Sequence, residues 1–208
     1  MTETATRTGA STVGTFHATC PSHDRPRALD TWLITTDHAD LATALTEHLG
    51  GQITTEPTAG RLEVQTAARA VPIVVHGPGD LTTDLRQSGP RGLVHHCDGT
   101  HFLTPADRHG RPCGCPSSLA ARKLRAHSGT GPAPYTLLRF YLADYVYLGV
   151  FRFTSASWHL AGAIPPLKAR LTADGPSSGR LLIEKSEFST PSGLRLPIHS
   201  PAITLGNP

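Results

Sequence analysis

The most constraining feature of the sequence is the Cys113-Gly114-Cys115 triplet, which lies between two prolines in "RPCGCP" at residues 111–116. The chain has 208 residues and only four cysteines. A disulfide across one intervening residue is strained, whereas two thiolates on one metal ion need no such ring. The glycine permits a tight turn and the prolines stiffen it. The triplet therefore indicates a metal-binding turn rather than a disulfide.

The two remaining cysteines each follow a predicted strand. Cys97 ends the run at 91–97, and Cys20 follows the run that begins at residue 12. Because structural zinc takes four tetrahedral ligands, we predict one zinc site with four cysteine ligands: Cys20, Cys97, Cys113 and Cys115. Four thiolates fill the coordination shell and leave no position for a catalytic water. This site would tie the N-terminal strand to the loop at 97–115.

Nearby histidines leave other ligand sets open. A mixed Cys/His site could draw its histidine from His23, His95, His96, His101 or His109, and a third reading is buried cysteines without metal. A hydrolytic metal site could use His95, His96, Asp98 and His101, although Asp98-Gly99 also suits a turn.

Composition favours a globular chain with many loops. Hydrophobic residues make up 38% of the sequence, and there are 20 glycines and 18 prolines. We predict a single compact α+β domain of short mixed strands and a few helices, stabilised by the zinc site. Its predicted bounds are residues 12–200, with flexible tails at 1–11 and 201–208.

Runs rich in β-branched, aromatic and apolar residues predict strands at 29–36, 61–68, 71–76 and 91–97. Alternation predicts a strand in "YTLLRFYL" (135–142), which is followed by the extended "VFRFTSAS" (150–157). Alternation also predicts strands at 180–188 and 194–200, which form a hairpin.

Helical spacing predicts three helical segments. One follows Asp37 and ends at Gly50, and another spans 118–127 after a serine cap. In the second helix, Leu119, Ala120 and Leu124 are expected on the inner face, and Arg122, Lys123 and Arg125 on the outer face. A third helix begins after Ser157 and should be interrupted at Pro165-Pro166.

Charge and hydropathy indicate where in the cell the protein acts and which partners it binds. Residues 1–15 contain no apolar segment of the kind found in signal peptides, and no run approaches 18 apolar residues. These features predict a protein of the reducing cytoplasm, where cysteines serve as ligands or thiols. The net charge of +3 is too small to indicate nucleic-acid binding by itself.

Four motifs occur in one order along residues 12–170: "TVGTFHATCPSH" (12–23), "HHCDGTHFL" (95–103), "GRPCGCP" (110–116) followed by a basic helix, and "GVFRFTSASWHL" (149–160). This order resembles the recombination directionality factors that act with large serine integrases in temperate phages of actinobacteria, including Streptomyces.

The resemblance implies an accessory protein of the bacterial host cytoplasm that is not an enzyme. Such a factor binds the phage serine integrase, near the coiled-coil arm of its C-terminal region, and switches it from integration to prophage excision. Contact with DNA would be indirect, through the integrase, and no membrane would be involved.

The resemblance supplies no interface residues, so these are chosen from the sequence. Protein interfaces are enriched in aromatic and apolar side chains. The chosen residues are Tyr145, Tyr147, Leu194 and Leu196.

Two other functions remain open at this point. One is a zinc-stabilised DNA-binding phage regulator that would use Arg122, Lys123, Arg125 and Arg139. The other is a metal-dependent hydrolase that would use the histidines and Asp98 described above.

Overall fold

A computed structural model describes residues 11–20, 27–55, 61–190 and 193–206. The described residues form twelve strands and three α-helices, which confirms the predicted α+β class. In chain order the elements are β1 Thr12–Thr19, β2 Ala28–Thr36, α1 Ala39–Leu49, β3 Gln52–Thr55, β4 Leu62–Gln65, β5 Ala70–Val75, β6 Leu81–Gly89, β7 Gly92–Cys97, β8 Phe102–Thr104, α2 Leu119–His127, β9 Ala133–Leu142, β10 Val150–Ser155, α3 Trp158–Asp174, β11 Ser177–Ser189 and β12 Arg195–Leu205.

The strands form one mixed sheet with the order β12-β11-β5-β9-β10-β1-β2-β4-β3. β1 runs parallel to β10, and the other pairs are antiparallel. Neighbours in this order are often distant in the sequence, so the sheet gathers segments from the whole chain.

A branch leaves this sheet at β9. The first half of β9 pairs with β6, from Leu138 opposite Leu81 to Ala133 opposite Arg86, while its end pairs with β5. β7 pairs with β6, and β8 pairs with β7. The branch of β6, β7 and β8 therefore shares β9 with the main sheet.

The main core is built around aromatic rings from β1, β2, β9 and β10. The ring of Phe16 lies 5.8 Å from that of Trp32, 5.2 Å from that of Phe140 and 5.6 Å from that of Phe151. All four side chains are almost completely buried. Edge-to-face contacts at these distances suit the quadrupoles of the rings.

The helices agree only in part with the sequence patterns. α1 buries Leu41, Ala42 and Leu45, as its spacing predicts. α2 buries none of its nine residues, so the predicted inner face, which includes Leu119 and Leu124, is wrong.

The predicted interruption of the third helix is also wrong. α3 begins after Ser157, whose Oγ accepts a hydrogen bond from the Leu160 amide, and it runs through Pro165 and Pro166. Leu160, Ile164 and Leu171 are buried on both sides of the prolines. We attribute the continuity of the helix to this burial, which offsets the lost backbone hydrogen bonds.

Residues near the C-terminal end belong to the sheet rather than to a tail. Residues 201–205, predicted as part of a tail, form the end of β12, and Ile203 and Leu205 are buried in the main core. The predicted tail at 1–11, except for its last residue, lies outside the described residues, as does the candidate ligand His23. Within the described residues, none of the helices is both long and apolar enough to cross a membrane.

Candidate metal centre

The candidate metal centre lies on one face of β7. His95 and Cys97 are separated by one residue, so their side chains point to the same side of the strand. Cys97 ends the strand opposite Leu85 of β6, and His95 lies opposite Gln87. The strand therefore presents one imidazole and one thiol side by side.

The Cys-Gly-Cys turn supplies two more thiols. Gly114 has a φ of +74°, a left-handed conformation that glycine adopts without strain. The Cys113 amide donates a 2.8 Å hydrogen bond to the Thr100 carbonyl, and His101 pairs with Pro112 in an isolated antiparallel β-bridge. These contacts hold the turn against the end of β7.

Four ligand atoms meet at this place. One atom from each of His95, Cys97, Cys113 and Cys115 lies within 4.8 Å of all the others. The Sγ atoms of Cys97 and Cys115 are 3.7 Å apart, and Cys115 Sγ is 3.6 Å from His95 Nε2.

These two distances match those expected around tetrahedral zinc. Zn–S bonds of ~2.3 Å and a Zn–N bond of ~2.0–2.1 Å place two sulfurs about 3.8 Å apart and a sulfur and a nitrogen about 3.6 Å apart. The residues therefore fit a site with three cysteine ligands and one histidine, a set common in structural zinc centres.

The surroundings are apolar enough to favour metal binding over free thiolates. Cys97 and Cys113 are buried, and Leu85, Phe102 and Trp158 pack around the cysteines. Burial raises the pKa of the Cys97 and Cys115 thiols above their usual range. A bound cation would take the place of the thiol protons.

His95 has the properties of a neutral ligand. Burial, followed by the positive charge of Arg108 and the neighbouring His96, lowers the pKa of His95 below its usual value. Its ring also packs on that of Phe102, with the centroids 4.8 Å apart. The imidazole is therefore held in place and keeps a lone pair for coordination.

Cys20 is not a member of this group, although the sequence pattern predicts it as one of four cysteine ligands. It follows β1, and its amide donates to the Arg27 carbonyl at 2.9 Å. β10, β9 and β6 lie between β1 and β7 in the sheet. The structure therefore brings three of the four predicted ligands together and has His95 in the fourth position.

The side chains predicted for a hydrolytic site do not converge. His96 points to the opposite face of β7, where its Nε2 lies 3.2 Å from Asp84 Oδ2. Asp98 Oδ1 accepts three 2.7 Å hydrogen bonds, from the amides of His101 and Thr100 and from the Thr100 hydroxyl. These bonds, chiefly that from the His101 amide, lower the pKa of Asp98 to about 2. Asp98 thus fixes the turn that leads to the cysteines.

Two of the basic residues predicted for DNA binding are engaged within the protein. Arg122 donates to the carbonyls of Pro116 and Gly99. Arg139 donates to Asp80 at 3.1 Å. Lys123 and Arg125 are exposed on α2.

The four residues predicted to bind a partner are placed differently from one another. Tyr145 packs against the main core and stacks on His48, with ring centroids 3.6 Å apart. Tyr147 is 73% exposed. Leu194 and Leu196 are both exposed at the hairpin of β11 and β12.

Comparison with known protein families gives a match over most of the chain. A family model described as "Gp3-like: Recombination directionality factor-like" matches residues 5–173. The matched range includes all four residues of the metal centre and most of the main sheet. No solved structure gives a significant match.

Proposed function

We propose that this chain, which belongs to the Gp3-like, recombination directionality factor-like family, binds a phage serine integrase. Binding would switch the integrase from integration to excision. The family match over residues 5–173 is the observation that supports this proposal. The family is one of regulatory recombination factors, and we propose that this member acts without catalysis, in the cytoplasm of the bacterial host.

A directionality factor must favour one state of its recombinase. A ligand that binds two conformations equally shifts neither of them. A preference of about 3–4 kcal/mol for the excision-competent state changes the balance by two to three orders of magnitude. The factor therefore needs a rigid surface whose fit differs between the two states.

We propose zinc as the structural cofactor that holds the Cys-Gly-Cys turn against β7 and so makes this part of the factor rigid. The proposed ligands are His95, Cys97, Cys113 and Cys115, with His95 in the place first predicted for Cys20. Four protein ligands complete a tetrahedral shell, so the zinc would support the fold rather than activate water.

An in vitro recombination assay tests the function. Purified integrase is incubated with the two hybrid attachment sites, with and without this protein. We expect excision only when the protein is present, and less integration on the original pair of sites. Failure to change either reaction with cognate integrase would refute the proposal.

A gel-shift assay distinguishes this function from direct DNA recognition. We expect the protein to shift attachment-site DNA only when integrase is present. A specific shift by the protein alone would favour the DNA-binding regulator.

A further inference from the structure

The hairpin of β11 and β12 extends beyond the main sheet. β11 pairs with β5 only over Ser177–Leu182, but it pairs with β12 as far as Ser189. We call residues 184–189 and 194–200 the hairpin arm. Among the described residues, its two strands pair only with each other.

The apolar side chains change faces between the base of the hairpin and the arm. At the base, Leu181 and Ile183 of β11 and Ile203 and Leu205 of β12 point into the main core. All four have odd numbers. The pairing of β11 with β12 runs from Gly179 to Ser189 without a break in register, so odd and even residues stay on opposite faces throughout.

In the arm the apolar residues have even numbers. Phe188 lies opposite Leu196, and Ile198 lies opposite Ser186. Their exposed fractions are 51% for Phe188, 43% for Leu196 and 42% for Ile198, and Leu194 beside them is 59% exposed. These four residues form what we call the outer apolar face. Because it lies on the side of the hairpin opposite the main core, the core cannot cover it.

The opposite face of the arm carries charged side chains. Lys185, Glu187 and Arg195 have odd numbers and continue the side that faces the core at the base. Arg195 lies 3.6 Å from Glu187 in an exposed ion pair. One face of the arm thus suits water and the other suits an apolar partner.

We infer that the outer apolar face is the docking surface for the recombinase, and that it receives an apolar stripe of a recombinase helix. This inference rests on the proposed function, which supplies the partner. A helix can cover this face because helices packed on a sheet are one of the few stable layer arrangements.

Two observations argue against other occupants. β12 is an edge strand, and Pro197 and Pro201 lack the N–H groups that an added strand would use. A dimer formed through this face alone would also be small. The four half-exposed side chains offer less than the ~800 Å² per partner found in stable complexes, so a stable complex needs further contacts, which we expect integrase to supply.

A pair of matched double variants tests the inference. Phe188→Ser with Leu196→Ser removes the centre of the outer apolar face, and Glu187→Ser with Arg195→Ser changes the charged face of the same segment. We expect the first to weaken integrase binding by about thirtyfold or more and to abolish excision. The second should change binding by less than about threefold.

Several outcomes separate the inference from the proposed function. Wild-type protein that neither binds nor redirects integrase would overturn both. Wild-type activity that survives Phe188→Ser with Leu196→Ser would overturn only the docking surface. Metal content and thermal unfolding of both variants, measured in parallel, must match those of the wild-type protein. If the first variant is destabilised, photo-crosslinking replaces it.

Site-specific photo-crosslinking provides that second measurement. A photoreactive phenylalanine analogue is placed at position 196 or, as a control, at position 195. We expect a crosslink to integrase from position 196 and little from position 195. Equal crosslinking from both positions, or a crosslink between two copies of this chain from position 196, would overturn the inference.

Discussion

The main core and the branch of β6–β8 belong to one sheet, but they are stabilised differently. The main core buries more than twenty side chains, including the rings of Phe16, Trp32 and Phe153. The second cluster contains only Leu85, Cys97 and Cys113 as buried members, with Phe102, Cys115 and Trp158 packed against them. Half of the residues in the second cluster are cysteines.

The difference shows where a hydrophobic core is too small to stabilise a segment. The loop from 98 to 116 contains only the short strand β8, and α2 buries none of its residues. Little apolar burial is available there to offset the entropy of ordering the chain. We therefore expect coordination of a metal to stabilise the branch, while burial of apolar surface stabilises the main core.

The largest expected effect comes from removing the metal. Cys113→Ser, or a strong chelator, should lower the protection of β7, β8 and α2 against hydrogen exchange and leave β1, β9 and β10 protected. The effect should be large, because structural zinc contributes about 10–16 kcal/mol of apparent binding energy in zinc-finger peptides. Hydrogen exchange read by mass spectrometry resolves the two regions.

Cys20→Ser is the matched control for this experiment. It should leave both the metal content and the protection of the branch unchanged. Equal loss of metal from Cys20→Ser and Cys113→Ser would contradict the ligand set proposed here.

The next largest loss of stability should come from a substitution in the main core. Phe153→Ala removes a buried ring that lies 5.4 Å from that of Trp32 and should lower the free energy of unfolding by about 3–5 kcal/mol. Denaturant titration measures the loss. Phe188→Ala, at an exposed position, is the control and should cost less than about 1 kcal/mol. Similar losses from both variants would refute the burial described for the two rings.

A smaller loss of stability is expected where α2 contacts the loop at 98–116. Arg122 donates to the Gly99 carbonyl at 2.8 Å and also to the Pro116 carbonyl. Arg122→Met should cost about 1–3 kcal/mol of local stability through the lost charge-assisted hydrogen bonds, seen as faster exchange in α2. Lys123→Met, next to it and exposed, should have little effect. Identical exchange in the two variants would show that Arg122 does not anchor the helix.

The smallest expected effect is on the pH dependence of stability, through His17 in the main sheet. Burial, then the charges of Arg152 and Arg61, lowers the pKa of His17, whose Nε2 lies 3.0 Å from the Thr35 hydroxyl. At pH values between the folded and the unfolded pKa, the unfolded chain therefore binds more protons than the folded chain. This contribution to stability is complete above about pH 6.5 and is lost as the pH falls through that value toward the lower folded pKa.

His17→Gln should reduce this pH dependence by less than about 1 kcal/mol between about pH 7.5 and pH 5.5. Denaturant titrations at the two pH values measure the difference. A steeper loss of stability in the variant than in the wild-type protein would contradict the assignment.

Local patterns were enough to predict several elements. The β-branched and aromatic run at 29–36 predicts β2, and the spacing of Leu41, Ala42 and Leu45 predicts α1. Two cysteines one glycine apart indicate a shared ligand role, and the structure places both in one cluster. Each of these features is determined by residues close together in the sequence, so the residue pattern alone predicts it.

The fourth ligand depends on tertiary structure. Cys20 and His95 are both near the ends of predicted strands, and choosing between them requires the strand order. Strand β6, which none of the sequence patterns predicts, lies beside β7 and between it and β9. One local signal favoured His95, since it shares a strand face with Cys97.

Burial of apolar residues was also difficult to predict. Leu119 and Leu124 have the spacing of a buried helix face, but both are exposed, Leu124 to 70%. The sequence shows that apolar residues of β11 move from odd positions, such as Ile183, to the even position Phe188. That this exposes Phe188 can be seen only once the structure shows where β11 stops pairing with β5.

X-ray absorption spectroscopy at the zinc edge tests the central claim most directly. The measurement is made on the purified wild-type protein after its metal content has been determined. We predict one zinc per chain, with three sulfur ligands at about 2.3 Å and one nitrogen ligand at about 2.0–2.1 Å. A shell of four sulfurs would restore Cys20 as a ligand, and a folded protein without metal would contradict the account of the branch.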